Sequence, residues 1–438
     1  MLRPVLGSSV ILSALACTSI SIELPADSGD GGPTVGEAAT LPGTAPATCP
    51  APDDLYDPDC IVRYEIELDR EDWAKMERVH DETAANCGAT DWGKFRAWYP
   101  ATLTYGAESL DVGFRLKGNP CSLRVGGKMQ FRVDLDYADA SAEFHGLSSL
   151  NLEAAPYDPT WMKNTLASSV FADADVLAPR ANFATLHVNG SYYGLFENIE
   201  QINGSFVENH FDDDSGNLYW FIWNGHYGSL ESNEEQADTS DWDEMEALAN
   251  ATPASVSLEE FTARIPEIVD VTQLIRTFAA EAVMPQTDGV WAGSANCYMY
   301  HDPLGCSGAG CFVYLPWDLD SAFTEPDCPG CEALPPTIDA DPFTFITGRG
   351  PAAHWRVWDL LMEVPAWRQQ FIDEIASVLD AAYVPEVLVE RHQAWMEAVR
   401  PELEADPHVD LESWEREHAE IDSTIVAREA WLREWLAR

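Results

Sequence analysis

Basic residues are scarce in this chain. Its 438 residues hold 25 Lys and Arg against 74 Asp and Glu, a formal net charge of −49. Such a surface repels phosphate backbones, which argues against a nucleic-acid partner. The same field opposes ATP, so a nucleotide site would need a local basic group or bound cations. A long apolar run is also missing. Beyond the first residues no stretch reaches the ~20 apolar positions of a bilayer-spanning helix. Neither G-x-G-x-x-G nor a Walker pattern occurs, and there is no G-x-S-x-G elbow, so common nucleotide loops and that type of hydrolase find no support. No repeat recurs at solenoid or propeller periods.

What is present begins with MLRPVLGSSVILSALAC, where Arg3 precedes a short apolar run that ends in small residues. This reads as an export signal over residues 1–17, too short for a membrane span. Cys17 after Ala14-Leu15-Ala16 resembles a relaxed bacterial lipoprotein cleavage site, with plain secretion as the alternative. A lipid at Cys17 would be the sole membrane contact, and Thr18 after it resembles a signal for the outer membrane or cell surface. Residues 18–59, rich in Pro, Gly, Ala, Thr and Asp, read as a flexible tether. Ten cysteines fit an exported protein. With Cys17 set aside nine remain, so one is unpaired. Cys49 and Cys60 are expected to pin the end of the tether, and Cys306 and Cys311 to staple a hairpin. Cys328-Pro-Gly-Cys331 reads as a disulfide, because no second CxxC or His pair supports zinc.

Folded structure is expected from IVRYEIELDREDW, where Val62, Tyr64 and Ile66 alternate as in a strand and Asp69 caps a short helix. Strands follow at YPATLTYG, LDVGFRLKG and MQFRVDLDY, then a helix from about Pro159 to Phe171. FATLHVNGSYYGLFENI is a hairpin, since Asn189-Gly190 favours positive φ at both turn residues. The second half reads as helices near 227–249, at LEEFTARI, at VTQLIRTFAAEAVM and from Trp355 to Leu436, interrupted by the hairpin CYMYHD…GCFVYLPWDLD. The fold class is α+β, a strand-rich N-terminal lobe (60–205) before a mostly helical C-terminal lobe (206–438) that contains the hairpin.

Several residues carry candidate chemistry. Asp318 and Asp320 follow an apolar strand, and alternation would place both carboxylates on one side, a hard-oxygen pair suited to Mg²⁺. The hairpin would bring Asn296 near Asp318, where an amide oxygen could ligate metal. Lys117, Arg124 and Lys128 cluster around Gly118, Gly126 and Gly127, and Lys128 is the leading phosphate-binding cation. His187 alternates within a strand and is expected to be satisfied locally. Asp212-Asp213-Asp214 lacks EF-hand spacing and reads as a solvated loop, with weak peripheral Ca²⁺ binding as the alternative.

Four segments in order resemble the spore-coat CotH kinase family: RLKGNPCSLRVGGKMQFRVDLD (Arg115–Asp136), VNGSYYGLFENIEQINGSFVENHF (Val188–Phe211) with GNLY, DGVWAGSANCYMY (Asp288–Tyr300) and VYLPWDLDSAF (Val313–Phe323). The resemblance implies an atypical protein-kinase-like fold that uses ATP and Mg²⁺, or Mn²⁺ in its place, and an unidentified protein substrate phosphorylated on hydroxyls. It implies Asp318 as the metal aspartate and Asp288 as the group that orients the acceptor hydroxyl, although Val290-Trp291-Ala292-Gly293 replaces the family's basic residue and His. It implies Lys128 at the phosphates. Arg115 matches the family's Arg imperfectly, and Lys117 is its substitute. Glu200 falls where the family has a Glu near the interlobe linker, for ribose hydroxyls or a basic neighbour. Asn203 stands in place of an Asp, and Trp220 in place of a Lys, where it stacks on adenine or fills a core gap. The implied function is an exported Ser/Thr protein kinase. The alternatives are a catalytically inactive surface protein that uses the fold for binding, and transfer of another group from the same site.

Overall fold

Alternation in the first third of the chain does form strands. In β2 (Cys60–Leu68) every second side chain from Val62 points inward, and the charged Arg63, Glu65 and Glu67 face outward. The computed structural model describes residues 46–49, 51–139, 144–154, 156–221, 228–232, 240–249, 255–292, 296–323, 338–343 and 356–438. The expected export signal, Cys17, most of the tether and the Cys328–Cys331 pair lie outside the described residues.

β1 (Ala47–Cys49) runs parallel to the start of β2. β3 (Tyr99–Tyr105), β4 (Glu108–Leu116), β5 (Phe131–Asp134) and β6 (Ser149–Glu153) follow antiparallel, and β6 pairs with β8 (Ser191–Ile199). β7 (Ala181–Val188) lies between β8 and β2, parallel to β2, so the sheet closes on itself. Closure encloses Val62, Tyr64, Phe114, Phe131, Leu150, Leu186 and Phe196. The β7–β8 turn is as expected, with Asn189 at φ 50° and Gly190 at φ 78°. The Asn189 side chain also accepts the Leu68 N–H at 3.0 Å, which docks the hairpin on β2.

Asp69 caps the helix Arg70–Ala85 by accepting from the Glu71 and Asp72 N–H groups. The helix expected from Pro159 begins later, at Lys163. The reason is Asp158, whose buried carboxylate takes the N–H groups of Thr160, Met162 and Lys163 and holds the preceding turn open. The helix expected near 227–249 is half strand: β9 (Leu218–Phe221) pairs with β10 (Gly228–Ser232), and a helix follows at Ser240–Ala249.

The second sheet is antiparallel, in the order β10, β9, β11 (Cys297–Asp302), β12 (Cys311–Pro316). Helices Val271–Val283, Pro365–Ala381, Pro385–Ala405 and Leu411–Leu436 pack around a core that contains Phe278, Trp358, Phe371, Trp414 and Leu432. The architecture is α+β, strand-rich first and helical afterwards. Disulfides join Cys49–Cys60, Cys87–Cys121 and Cys306–Cys311, while Cys297 is buried and unpaired. Among the described residues no helix is long and apolar enough to cross a membrane. His187 is not satisfied as expected. Its Nδ1 is buried without a hydrogen-bond partner, and its ring meets Tyr192 edge-on.

Candidate functional site

The end of β12 organises the candidate site. The ladder closes with the Trp317 N–H on the Asn296 carbonyl at 3.1 Å. Asp318 then turns into the left-handed region at φ 59°, where Asp and Asn are among the few tolerated side chains. The expected strand alternation through Asp318 and Asp320 therefore stops before Asp318. A turn pinned from three elements replaces it. Gln286 donates to the Asp318 carbonyl at 2.9 Å, Asn164 accepts the Leu319 N–H at 2.9 Å, and the Phe323 N–H bonds the Met284 carbonyl at 2.9 Å.

The two carboxylates still act on each other. Asp318 is exposed to water. Restricted solvation, then the charges of Glu153 and Asp288, push its carboxyl up to about 7, with Lys117 opposing. Asp320 is raised as well, by restricted solvation first and then by Asp318 and Glu153, with Lys163 opposing. Acids that repel one another where solvation is restricted form a site that gains from a cation.

Lys117 continues the β4–β5 ladder through its N–H to the Gln130 carbonyl at 3.1 Å. Its ammonium pairs with Glu153 at the end of β6, and both side chains are mostly buried. The Asn296 amide donates to the Asp288 carboxylate at 2.6 Å, and Asn296 is itself left-handed at φ 73°. Gln286 joins Asp288 to Asp318, because its Oε1 accepts the Asp288 N–H at 3.3 Å while its Nε2 holds the Asp318 carbonyl. Hydrogen bonds thus link Asp288 to Asn296 and, through Gln286, to the Asp318 turn, with Asp320 two residues further on.

Behind them, Glu281 is buried and pushed up to about 7 by that burial. It accepts from the Trp291 N–H at 2.9 Å and from the Tyr314 hydroxyl at 2.7 Å, which fastens the loop carrying Asp288 to β12. Glu197 on β8 is fully buried and pushed up to about 8, by burial first and then by Asp158. It accepts from Asn164 Nδ2 at 2.9 Å and from the Thr165 N–H at 2.9 Å. Asn164 therefore bridges the barrel to the Asp318 turn.

Three expected cofactor residues are engaged by other groups. Lys128 is buried against Asp406 at 2.6 Å and donates to the Leu195 carbonyl, so its charge is already used. Burial moves its ammonium down to about 8 in spite of Asp406. Arg115 lies over the Trp98 ring at 4.6 Å, and its charged neighbours are Arg132, Arg96 and Asp134. Glu200 has found a basic neighbour: Arg180 holds it at 2.7 and 3.0 Å and His210 at 3.2 Å. Burial alone would raise the Glu200 carboxyl, but the His210 and Arg180 hydrogen bonds and charges bring it down to about 2. Trp220 pairs in register with Tyr298, and Tyr298 meets Trp317 edge-on at 5.6 Å, an aromatic wall beside Asn296.

Residues 114–432 match the family model described as CotH kinase protein. The chain belongs to the CotH kinase protein family. Inner spore coat protein H of Bacillus subtilis (strain 168) is 21% identical over 357 residues, which cover 77% of this chain and 91% of that protein. Every candidate residue from Arg115 to Asp320 lies inside the stretch matched by the CotH family. Glu153, Asn164, Glu197 and Glu281 were missed in the sequence, because each sits in an ordinary apolar strand or helix and only the fold brings it to the site.

Among the described residues no three His, Cys, Asp or Glu side chains converge closely enough to hold a metal alone. Mg²⁺ does not require such a cage, since one or two carboxylates plus phosphate oxygens and water complete its shell. The donor set here is of that open kind.

Proposed function

We propose that this CotH-family chain binds ATP with a divalent metal and transfers the γ-phosphoryl group to a protein hydroxyl. The observation that carries the reading is the Asp318 turn, tied through Gln286 to the Asp288–Asn296 pair and within electrostatic reach of Lys117 and Glu153. A metal bound there would neutralise charge on the phosphates. Asp318 and Asp320 would hold it, with the Asn296 side-chain amide oxygen as a neutral ligand. Lys117 would contact the phosphates in the role expected of Lys128, and Glu153 would hold its ammonium in place. Asp288 would accept a hydrogen bond from the incoming hydroxyl and orient it, a task of positioning more than of basicity. Trp220, Tyr298 and Trp317 are the aromatic surfaces at hand for a base. The kinase-like character of the fold rests on the family and on this order of strand-rich and helical regions.

Export fits both the N-terminal sequence and a relative named as a spore coat protein. Anchorage through Cys17 at a cell surface or outer membrane is part of the same proposal, as is a protein substrate.

A second reading, an inactive binding protein, is favoured by one specific contact. The Asp288 carboxylate is already occupied by the Asn296 amide, so the orienting group and the amide ligand are tied to each other. Incubation of the full chain with γ-labelled ATP, Mg²⁺ and a Ser/Thr-rich acidic protein separates the two. The kinase reading expects label on hydroxyls that disappears in Asp288→Asn and Asp318→Ala. Absence of transfer by folded protein that still binds MgATP supports the second.

A further inference from the structure

The outer face of β4, β5 and β6 holds cations that this acidic chain leaves without acidic partners. Elsewhere its arginines find carboxylates, as Arg63, Arg180, Arg391 and Arg433 do. Arg115 and Arg132 stand directly opposite each other in the β4–β5 ladder, so they share a face. Among the described residues neither has a carboxylate at ion-pair distance. The hydrogen bond of Arg115 goes to the neighbouring Leu116 carbonyl at 3.2 Å, and its guanidinium rests on Trp98. Arg96 adds a third positive charge felt at Arg115. Like charges directly opposite one another destabilise a sheet. The acid that favours Arg115 is Asp134, and burial together with Asp136 raises the carboxyl of Asp134 to about 6.

A second observation is independent of charge. Asn151 is the register partner of Arg132 across β5 and β6, so its side chain emerges on the same face. It is 1% exposed, and both Oδ1 and Nδ2 lack a hydrogen-bond partner. An orphaned buried amide lowers stability, because its lost hydration is not replaced. An oxyanion would relieve both faults, because guanidinium forks match its oxygens and an amide N–H can donate to it. Two residues along the same strands lie Lys117 and Glu153, roughly 7 Å away at the rise of a strand.

We infer that Arg115, Arg132 and Asn151, with Arg96 and Trp98 at the edge, form a subsite for a phosphoryl or carboxylate group beside the Lys117–Glu153 pair. The anion comes from a nucleotide phosphate or from an acidic or phosphorylated side chain of the acceptor. Its assignment to an acceptor rests on the kinase reading, whereas the subsite does not.

The test is calorimetric titration of the full chain with inorganic phosphate and with a phosphoserine peptide, in wild type, Arg132→Gln and Arg115→Gln/Arg132→Gln. The subsite predicts binding by wild type and loss of about tenfold or more in each variant. It also predicts a melting temperature unchanged or higher in the variants, because a repulsion has been removed. No binding of either probe by wild type overturns the inference, as does equal affinity in the variants or a lower melting temperature without loss of anion. Repetition with saturating MgADP identifies the source: a peptide that still binds marks an acceptor site, and one that is displaced marks a nucleotide site. Peptide binding by a protein that ignores MgADP would sink the kinase reading and leave the subsite standing.

Discussion

Lys128 and Asp406 lie 278 residues apart in the chain and meet as a buried ion pair at 2.6 Å. The Lys128 ammonium also lies over Phe196 at 4.5 Å and Trp161 at 5.1 Å, and Asp406 accepts the Leu195 N–H at 3.0 Å. Gly194 makes this approach possible, since a Cβ there would collide with the Asp406 carboxylate and meet Lys128 Cε at 2.9 Å. The pair fastens the segment after the helix Pro385–Ala405 onto β8.

Removal of one partner strands the other. Lys128→Met should lower stability by about 3–5 kcal/mol, read as the midpoint of urea unfolding. Lys128→Met/Asp406→Leu should recover much of that loss, because two apolar groups leave no buried charge behind. If Lys128→Met unfolds at the wild-type midpoint, the pair is not holding the fold.

Glu200 gives the chain an acid limit. Its folded carboxyl sits near 2, below the ordinary value of 4.5, so the stabilisation is complete above about pH 4.5 and is lost as pH falls toward 2. The size is about 3 kcal/mol. Glu200→Gln should lower the melting temperature at pH 7 and flatten its dependence on pH below 4.5. An unchanged acid slope in the variant would contradict the assignment.

A second acid-sensitive group lies between the last two helices. His392 bridges Asp422 and His418 at 2.6 Å on each side, and burial, followed by the charges of His392 and Arg400, brings His418 down to about 2 from 6.5. Stability from a neutral His418 is complete above pH 6.5 and falls as acid protonates the unfolded chain, by up to about 1.4 kcal/mol per pH unit. His418→Phe should reduce the slope of melting temperature between pH 6.5 and 4.5. An equal slope would place the proton uptake elsewhere.

Asn164 links Glu197 to the Leu319 N–H and so sets the turn between Asp318 and Asp320. Asn164→Ala leaves a buried carboxyl and a backbone N–H without this partner. It should cost about 1–3 kcal/mol in unfolding and weaken MgATP binding more than an equally destabilising core substitution does. Equal losses in the two variants would reduce Asn164 to a packing role.

The strands of the first third were legible because Val62, Tyr64 and Ile66 alternate and Asn189-Gly190 dictates its own turn. Closure of the barrel was not, since the return of β7 parallel to β2 leaves no local mark in either strand. Asp288, Asn296 and Asp318 were marked by the CotH segments; the end of the hairpin sets Asn296 beside Trp317, and the Asn296 amide reaches Asp288. Lys128 was misleading because its glycine-rich surroundings imitate a phosphate loop, while the carboxylate that claims it is at the far end of the sequence. Alternation also failed at Asp318, where a left-handed residue ends the pleat one step earlier than the apolar pattern indicates.

On the proposed reading, the Asp318 turn and the Lys117–Glu153 pair form a metal-dependent nucleotide site. Calorimetric titration of the full chain with ATP, with and without Mg²⁺, tests it most directly alongside Asp318→Ala and Lys117→Met. Mg²⁺-dependent binding in the micromolar range is expected, lost in Asp318→Ala and weakened in Lys117→Met. Absence of binding by folded, disulfide-intact protein, or equal binding by Asp318→Ala, would contradict it.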